Sequence, residues 1–223
     1  MTPTPAALLV IAKSPQPGKV KTRLTPPCTP AQAAALAAAA LQDTLEVVGA
    51  AGGPRRRRVL VLDGPAVPWV PGNFGVLPQR GEGLGERLAN AFGDAGGPAL
   101  LIGMDTPQVD VELIEAGLDA LDHEGARAVL APAADGGYWA IGLREADPRV
   151  FAGIEMSTRW TGRDQLARLR ALGLPVTDLP PLLDVDTFDD ARAVAAAAPG
   201  TRFAARLATI AAGLGEAASR TPS

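Results

Sequence analysis

The segment KSPQPGKVKTRL at residues 13–24 carries the clearest chemical signature in the chain. The three lysines of the sequence, Lys13, Lys19 and Lys21, all lie in it, together with Arg23. A lysine ammonium is a compact charge on a flexible stem, which suits phosphate oxygens. Two prolines stiffen the segment, and Gly18 lets the backbone turn close to a ligand. The segment therefore predicts a polyphosphate-binding loop, with an ordinary solvated basic loop as the alternative.

Aspartates at the ends of apolar stretches form a second group. Asp105 ends the stretch PALLIGMD at 98–105, and Asp184 and Asp186 follow a later apolar run. In open α/β sheets, ligands bind beyond the carboxyl ends of the strands. Mg²⁺ prefers one or two carboxylates together with phosphate oxygens and water. Asp105 and Asp186 are therefore candidate metal ligands, and capping of the following helix is the alternative role for Asp186.

The segment ADGGYWAIGL at 134–143 places Asp135 and two glycines before Tyr138 and Trp139. Adjacent glycines let a backbone pass close to a ligand, and the aromatic side chains could line a substrate pocket. The alternative is a tight hairpin turn whose aromatic residues belong to the core. We expect this segment on the acceptor side of a binding site.

Composition excludes several other classes of function. The 21 basic residues against 24 acidic ones give a net charge of -3, so the chain has no global basic field for nucleic acid or an anionic membrane. One cysteine and one histidine exclude an internal disulfide, a multi-cysteine zinc site and paired-histidine metal motifs. Val20 after Gly18-Lys19 does not match a P-loop, which needs Ser or Thr there.

The first apolar run, AALLVIA at residues 6–12, has no basic residue before it and Lys13 after it. A signal peptide has the opposite charge order. The alanine-rich stretch at 31–41 is too short to span a bilayer. We therefore expect a cytoplasmic protein without membrane insertion.

Short apolar runs alternate with longer helical patterns, which is typical of an α/β fold with a mostly parallel sheet. The predicted strands cover residues 6–12, 58–62, 76–79, 98–105 and 127–131, with a hairpin-like pair involving 138–143. The predicted helices cover residues 30–48, 84–95, 109–122, 161–172, 188–197 and 201–213. With no repeat and no long linker, the pattern predicts one domain over residues 1–213 and a frayed tail at 214–223.

Four segments in order resemble the DUF2064 family of bacterial proteins, which is often labelled a glycosyltransferase family. The segments are AKSPQPGKVKTRL (12–24), IGMDTPQV (102–109), DGGYWAIGL (135–143) and DVDTFDD (184–190). More distantly, they are similar to 2-phospho-L-lactate guanylyltransferase and the molybdenum cofactor guanylyltransferases. The resemblance implies a three-layer α/β/α, Rossmann-like GT-A fold, the fold of nucleotide-diphospho-sugar transferases.

The resemblance also implies roles for individual residues. It implies a nucleotide over the loop after the first strand and Mg²⁺ or Mn²⁺ at Asp105, with help from Asp186. The expected phosphate-binding set is Ala12, Lys13, Pro17, Gly18, Lys19, Lys21 and Arg23. The expected acceptor-side set is Asp135, Gly136, Gly137 and Tyr138. Direct roles in the reaction are expected for Lys13, Lys21, Arg23 and Asp135.

Two reactions fit these expectations. A glycosyltransferase would move the sugar of a nucleoside diphosphate sugar to a small-molecule acceptor. A nucleotidyltransferase would release pyrophosphate from a nucleoside triphosphate, and the concentration of lysines favours it, whereas the family label favours sugar transfer. A nucleotide-binding protein without catalytic activity is a further alternative.

Overall fold

The computed structural model describes residues 4–122 and 126–219. The described chain forms seven strands in one sheet, with six α-helices. The strands are β1 (Ala7–Lys13), β2 (Arg58–Asp63), β3 (Gly75–Pro78), β4 (Ala99–Gly103), β5 (Ala128–Pro132), β6 (Tyr138–Leu143) and β7 (Val176–Asp178). The helices are α1 (Pro30–Ala50), α2 (Leu84–Ala95), α3 (Val111–Asp122), α4 (Thr161–Ala171), α5 (Phe188–Ala197) and α6 (Arg202–Ser219).

The sheet has the order β3-β2-β1-β4-β6-β5-β7. Every neighbouring pair is parallel except those that include β6, which runs antiparallel to both β4 and β5. Because β6 runs in the opposite direction, its first residues lie at the same edge as the carboxyl ends of β1 and β4. The predicted mostly parallel sheet is confirmed, and one edge collects the ends of three central strands.

Helices cover both faces of the sheet. One apolar cluster joins the sheet to α1 and α3, and a second joins the opposite face to α2 and α4. A third cluster packs α5 and α6 on the outer side of α1, so α1 is buried on two sides. Among the described helices, α1 alone has the length and apolar composition of a membrane-spanning helix, and most of it is buried inside the protein.

The start of α1 follows from local sequence. The side chain of Thr29 accepts a hydrogen bond from the Gln32 N–H at 3.2 Å, and the Gln32 side chain accepts one from the Thr29 N–H at 2.7 Å. This reciprocal capping satisfies backbone donors that the first turn leaves without helical partners. Pro30 fits the first turn because no helical hydrogen bond is required there.

The predicted elements are all present, and two regions differ from expectation. The sequence analysis did not predict β7, which is only three residues long. Helix α6 continues to Ser219, beyond the predicted helix end at residue 213. Leu214 packs against the cluster between α1, α5 and α6, which explains why the helix continues. Residues 220–223 lie outside the described residues.

Arg58, the last of four consecutive arginines and the first residue of β2, stabilises the fold. Its side chain is only 6% exposed, and it donates hydrogen bonds to the carbonyl oxygens of Val48 at 3.0 Å and Gly53 at 2.8 Å. A helix end leaves its last carbonyl groups without helical partners, and a buried guanidinium satisfies them. Arg58 therefore ties the end of α1 to β2.

Candidate functional site

A cleft of about 710 Å³ opens at the edge of the sheet where β1 and β4 end and β6 begins. Lys13 ends β1, Gly103 ends β4 and Tyr138 begins β6, and all three line the cleft. Loops beyond the strand ends are free to vary while the sheet holds them in place. The cleft thus lies where the sequence predicted a ligand site.

The basic loop after β1 forms one wall of this cleft. Lys13, Lys19, Lys21 and Arg23 all line it, as does Ala12. The solvated-loop alternative does not fit Lys21, whose side chain is 11% exposed and whose Nζ lies 2.6 Å from Oδ1 of Asp105. Pro17 and Gly18 are exposed and do not line the cleft, so the expectation that they contact phosphate stays a prediction.

Lys21 joins three parts of the chain. Its backbone is left-handed, with φ 49° and ψ 38°, which turns the side chain of this residue toward the sheet edge. Its Nζ binds Asp105 and also donates to the carbonyl oxygen of Val185. The Val185 N–H donates to the Asp105 carbonyl at 2.9 Å, so the segments that carry Asp105 and Asp186 lie side by side.

Four aspartates line the same cleft, Asp105, Asp135, Asp184 and Asp186. Asp186 forms an ion pair with Arg23. The Asp135 N–H lies 3.4 Å from Oδ1 of Asp184. Partial burial raises the pKa of Asp184, the charge of Asp135 raises it further, and the charge of Lys21 opposes the shift. Two of the aspartates therefore pair with cations of the basic loop, so the carboxylates do not form an isolated acidic cluster.

The carboxylates of the cleft suit a divalent cation that is shared with a substrate. Within residues 4–122 and 126–219, no group of three or more Asp, Glu, His or Cys side chains has the arrangement of a protein-only metal site. Mg²⁺ usually keeps several waters and binds one or two carboxylates plus substrate phosphates. Asp105 and Asp186, each beside a cation of the basic loop, fit that shared kind of site. Asp184, two residues before Asp186 and close to Asp135, adds a cleft carboxylate that was not among the predicted ligands.

Asp135 is held by the turn between β5 and β6. Its Oδ1 accepts a hydrogen bond from the Gly137 N–H at 2.7 Å. Gly136 has φ 91°, and a Cβ there would lie 2.7 Å from the carbonyl carbon of Arg159, so only glycine fits. Gly137 lines the cleft and Gly136 does not. The hairpin and the cleft-facing carboxylate therefore occur together, and the two alternatives for this segment do not exclude each other.

The aromatic residues of this hairpin contribute differently. The Tyr138 hydroxyl lies 3.3 Å from Oε1 of Gln165, and burial raises the pKa of this phenol well above its usual value. Trp139 is buried and donates from Nε1 to the Pro180 carbonyl at 3.0 Å. The phenol stays protonated at neutral pH, so Tyr138 contributes its aromatic ring to the cleft and does not act there as an acid or base.

The structure adds cleft residues that the sequence analysis did not select. Gln79 follows β3, and Arg87 lies in the first turn of α2. Ser157 and Thr158 come from the loop before α4, and Thr161 begins that helix. Among the described non-glycine residues, only Ser157 and Lys21 have a left-handed backbone conformation, with φ 62° and 49°. Such strain concentrates at functional sites, but no pattern in a single sequence marks it.

Comparison with known proteins supports the fold. A family model described as an uncharacterized protein conserved in bacteria (DUF2064) matches residues 31–158, more than half of the chain. A crystal structure from Desulfovibrio desulfuricans G20, described as a provisional nucleotide-diphospho-sugar transferase, is 27% identical with a TM-score of 0.85, covering 96% of this chain and 98% of that one. No curated protein sequence matches the chain.

Two further structures share the fold at lower identity. CMP:2-keto-3-deoxy-manno-octonic acid synthetase in complex with CTP is 13% identical, with a TM-score of 0.58 over 86% of this chain and 98% of that one. The 2-C-methyl-D-erythritol 4-phosphate cytidylyltransferase of Thermus thermophilus is 18% identical, with a TM-score of 0.51 over 86% and 98%. The three-layer fold of nucleotide-diphospho-sugar transferases predicted from the sequence is confirmed.

Proposed function

Because the chain belongs to the DUF2064 family and its basic loop and strand-end aspartates share one cleft, we propose that it is a transferase that uses a nucleotide-activated donor. The observation that carries the proposal is the position of Lys21 against Asp105, 2.6 Å apart in that cleft. The similarity to the Desulfovibrio desulfuricans protein, at 27% identity over nearly the whole chain, supports it.

In this proposal the basic loop binds the phosphates of the donor. Lys13, Lys21 and Arg23 neutralise charge that builds on the phosphate oxygens as the leaving group departs. Asp105 and Asp186 hold Mg²⁺ or Mn²⁺, and the cation supplies charge neutralisation and a fixed orientation of the phosphates. The chain's own contribution is positioning and electrostatic stabilisation, which together can lower a reaction barrier by several kcal/mol, roughly 3–4 per well-placed donor.

The finer assignment that we favour is glycosyl transfer from a nucleoside diphosphate sugar. An acceptor hydroxyl or thiol attacks the anomeric carbon of the sugar, the bond to the phosphate oxygen breaks, and a nucleoside diphosphate leaves. Asp135 lines the cleft, and in this version it takes the proton of the attacking group. The description of the Desulfovibrio desulfuricans relative favours this version.

Nucleotidyl transfer is the second candidate, and the concentration of cations favours it. Four basic side chains line one wall of the cleft, which suits a triphosphate. An acceptor phosphate or phosphonate would attack the α-phosphorus, and pyrophosphate would leave. A phosphate nucleophile needs no protein base, so this version leaves Asp135 without a role in proton transfer.

Ligand binding is the first test. A panel of nucleoside di- and triphosphates, with and without Mn²⁺, should raise the melting temperature for at least one nucleotide, because a ligand that binds only the native state stabilises it. Asp105→Asn should remove the metal-dependent part of that shift. The control is Asp189→Asn, since Asp189 is an exposed aspartate outside the cleft. If no nucleotide moves the transition, the proposal is refuted.

The product distinguishes the two reactions. Phosphorus NMR of a turnover mixture should show a nucleoside diphosphate for sugar transfer and pyrophosphate for nucleotidyl transfer. Asp135→Asn separates them further, because it should abolish sugar transfer that needs a base and leave nucleotidyl transfer active. Nucleotide binding without any product would identify a binding protein and refute both enzymatic assignments.

A further inference from the structure

Two arginines neighbour the cleft-lining residues Thr158 and Thr161. Arg159 lies in the loop before α4, and Arg163 lies in the first turn of that helix. Arg159 and Arg163 place their guanidinium carbons 4.5 Å and 4.6 Å from the centre of the Trp160 ring. Trp160 is 46% exposed, which makes it one of the most exposed large apolar residues of the described chain. A cation over an indole face is attracted by the ring and is held in a defined position.

This loop is built with a fixed shape. The Thr158 N–H donates to Oγ1 of Thr161 at 3.0 Å, and that hydroxyl donates to the Glu155 carbonyl at 3.0 Å. The Trp160 N–H lies 3.2 Å from Oγ1 of Thr158. Ser157, at φ 62°, faces the cleft within the same loop. A non-glycine residue is kept in that conformation only where its surroundings over-determine it.

The loop is also attached to the acceptor side of the cleft. The Gly162 N–H donates to the Gly136 carbonyl at 2.8 Å, and Gly136 belongs to the same turn as Asp135. Ser157, Thr158 and Thr161 line the cleft itself. The backbone of Arg159 and Gly162 therefore packs against the turn that carries Asp135. We call the surface formed by Arg159, Trp160 and Arg163 the rim of the cleft.

The charges at this rim are only partly balanced. Arg163 pairs with Asp164, with Nη2 2.8 Å from Oδ1. Arg159 forms no ion pair with any carboxylate of the described residues, and its guanidinium lies over the Trp160 ring. The two guanidinium groups around the ring therefore form one ion pair between them, with Asp164, in a chain whose net charge is -3. Planar guanidinium donors match phosphate and carboxylate oxygens.

We propose that Arg159 and Arg163, held by Trp160, bind an oxyanion group on the acceptor, either a phosphate or a carboxylate. The inference rests on the proposed function, because it assigns this rim to the acceptor of that same transfer. It narrows the acceptor class from any small hydroxyl or thiol compound to an anionic one. Ser157 and Asp135 then face the part of the acceptor that reacts.

The test is an NMR titration of the full-length protein with inorganic phosphate and, separately, with malonate. The chain has three tryptophans, so the indole signal of Trp160 can be assigned from its absence in Trp160→Phe. Either anion should shift that signal saturably, beyond the effect of sodium chloride at the same ionic strength. A response to phosphate alone identifies a phosphate acceptor, and a response to malonate alone identifies a carboxylate acceptor.

The decisive variant is Arg159→Gln/Arg163→Gln, in which we expect the affinity for the responding anion to fall by about tenfold or more, since hydrogen bonds to charged groups are among the strong ones. The charge-matched control, Arg170→Gln/Arg192→Gln, changes two exposed arginines outside the cleft and should bind as the native protein does.

The inference is overturned if neither anion moves the Trp160 signal, or if the double variant binds as well as its control. Nucleotide-induced stabilisation should be the same in both double variants, because the donor site is separate from this rim. A loss of anion binding with retained nucleotide binding supports the inference. Absent nucleotide binding in the native protein instead refutes the proposed function.

Discussion

Replacing Lys21 by alanine should destabilise the folded protein as well as impair the cleft. The Lys21 side chain is 11% exposed and that of Asp105 is 51% exposed, so the pair lies between a buried and a surface ion pair. Breaking a buried pair costs about 3–5 kcal/mol and losing an exposed one about 0.2–1 kcal/mol. Because water can solvate the half-exposed Asp105 once Lys21 is removed, we expect the loss of this ion pair to cost roughly 1–2 kcal/mol of folding free energy. The unpaired Val185 carbonyl adds about 1 kcal/mol.

A second substitution at Lys21 separates the cost of the left-handed backbone conformation from the cost of losing the ion pair. Lys21 has φ 49°, a conformation that costs an L-residue with a Cβ roughly 1–2 kcal/mol and glycine little. Lys21→Ala keeps that cost, so we expect a total loss near 2–3 kcal/mol. Lys21→Gly loses the same ion pair but should be about 1 kcal/mol more stable than the alanine variant.

Equilibrium unfolding in urea measures both free energies by linear extrapolation. Lys19→Ala is the matched control, because Lys19 is an exposed lysine of the same loop and should change stability by no more than about 0.5 kcal/mol. Lys21→Ala/Asp105→Asn should be less destabilised than the sum of the single variants. If Lys21→Ala unfolds like Lys19→Ala, or if the two changes simply add, the ion pair contributes nothing and the reasoning fails.

Three further predictions rest on single features. Arg58→Ala should cost about 3 kcal/mol because it leaves buried carbonyls at the end of α1 unpaired, whereas exposed Arg55→Ala should cost little; equal urea midpoints would contradict this. Gly136→Ala should lower the melting temperature more than Gly18→Ala, since both glycines have positive φ but nothing lies within 4 Å of a Cβ at Gly18; the reverse order would refute the steric argument. Burial raises the pKa of the Cys28 thiol, so less of the reactive thiolate is present at neutral pH. Mass spectrometry should therefore show that iodoacetamide labels Cys28 only as urea unfolds the chain. Rapid labelling of the folded protein would contradict this.

Much of the fold could be predicted because its local signals agree with its packing. The helix α2 was predicted over residues 84–95 and begins and ends at Leu84 and Ala95. Its buried residues Leu88, Ala91 and Phe92 lie on one face, as their spacing requires. Leu84, one turn before Leu88, is exposed and lines the cleft. Strand β7 has three residues, too few for a period to appear.

The site could be predicted where a charged residue lies at the end of a predicted strand. Lys13 and Asp105 follow apolar strands, and parallel strands bring their carboxyl ends to one edge, so the convergence follows from topology. The pairing of Lys21 with Asp105 could not be predicted, because it depends on a left-handed backbone angle at Lys21. Thr106 and Arg159 were missed for a similar reason. Thr106 lines the cleft, and its buried hydroxyl has no hydrogen-bond partner among the described residues. Only side-chain packing reveals such a position.

The charge balance of the cleft has a consequence for how its ligands bind. Four basic side chains of the loop after β1 face four aspartates, and two of the aspartates already pair with cations of that loop. A polyphosphate that enters alone gains contacts with the lysines but lies against carboxylates that repel it. A divalent cation that enters alone meets carboxylates whose charge is already offset. Entering together, each ligand neutralises the groups that repel the other. Binding of nucleotide and metal should therefore be mutually favourable, and because such coupling is reciprocal, each must strengthen the other by the same factor.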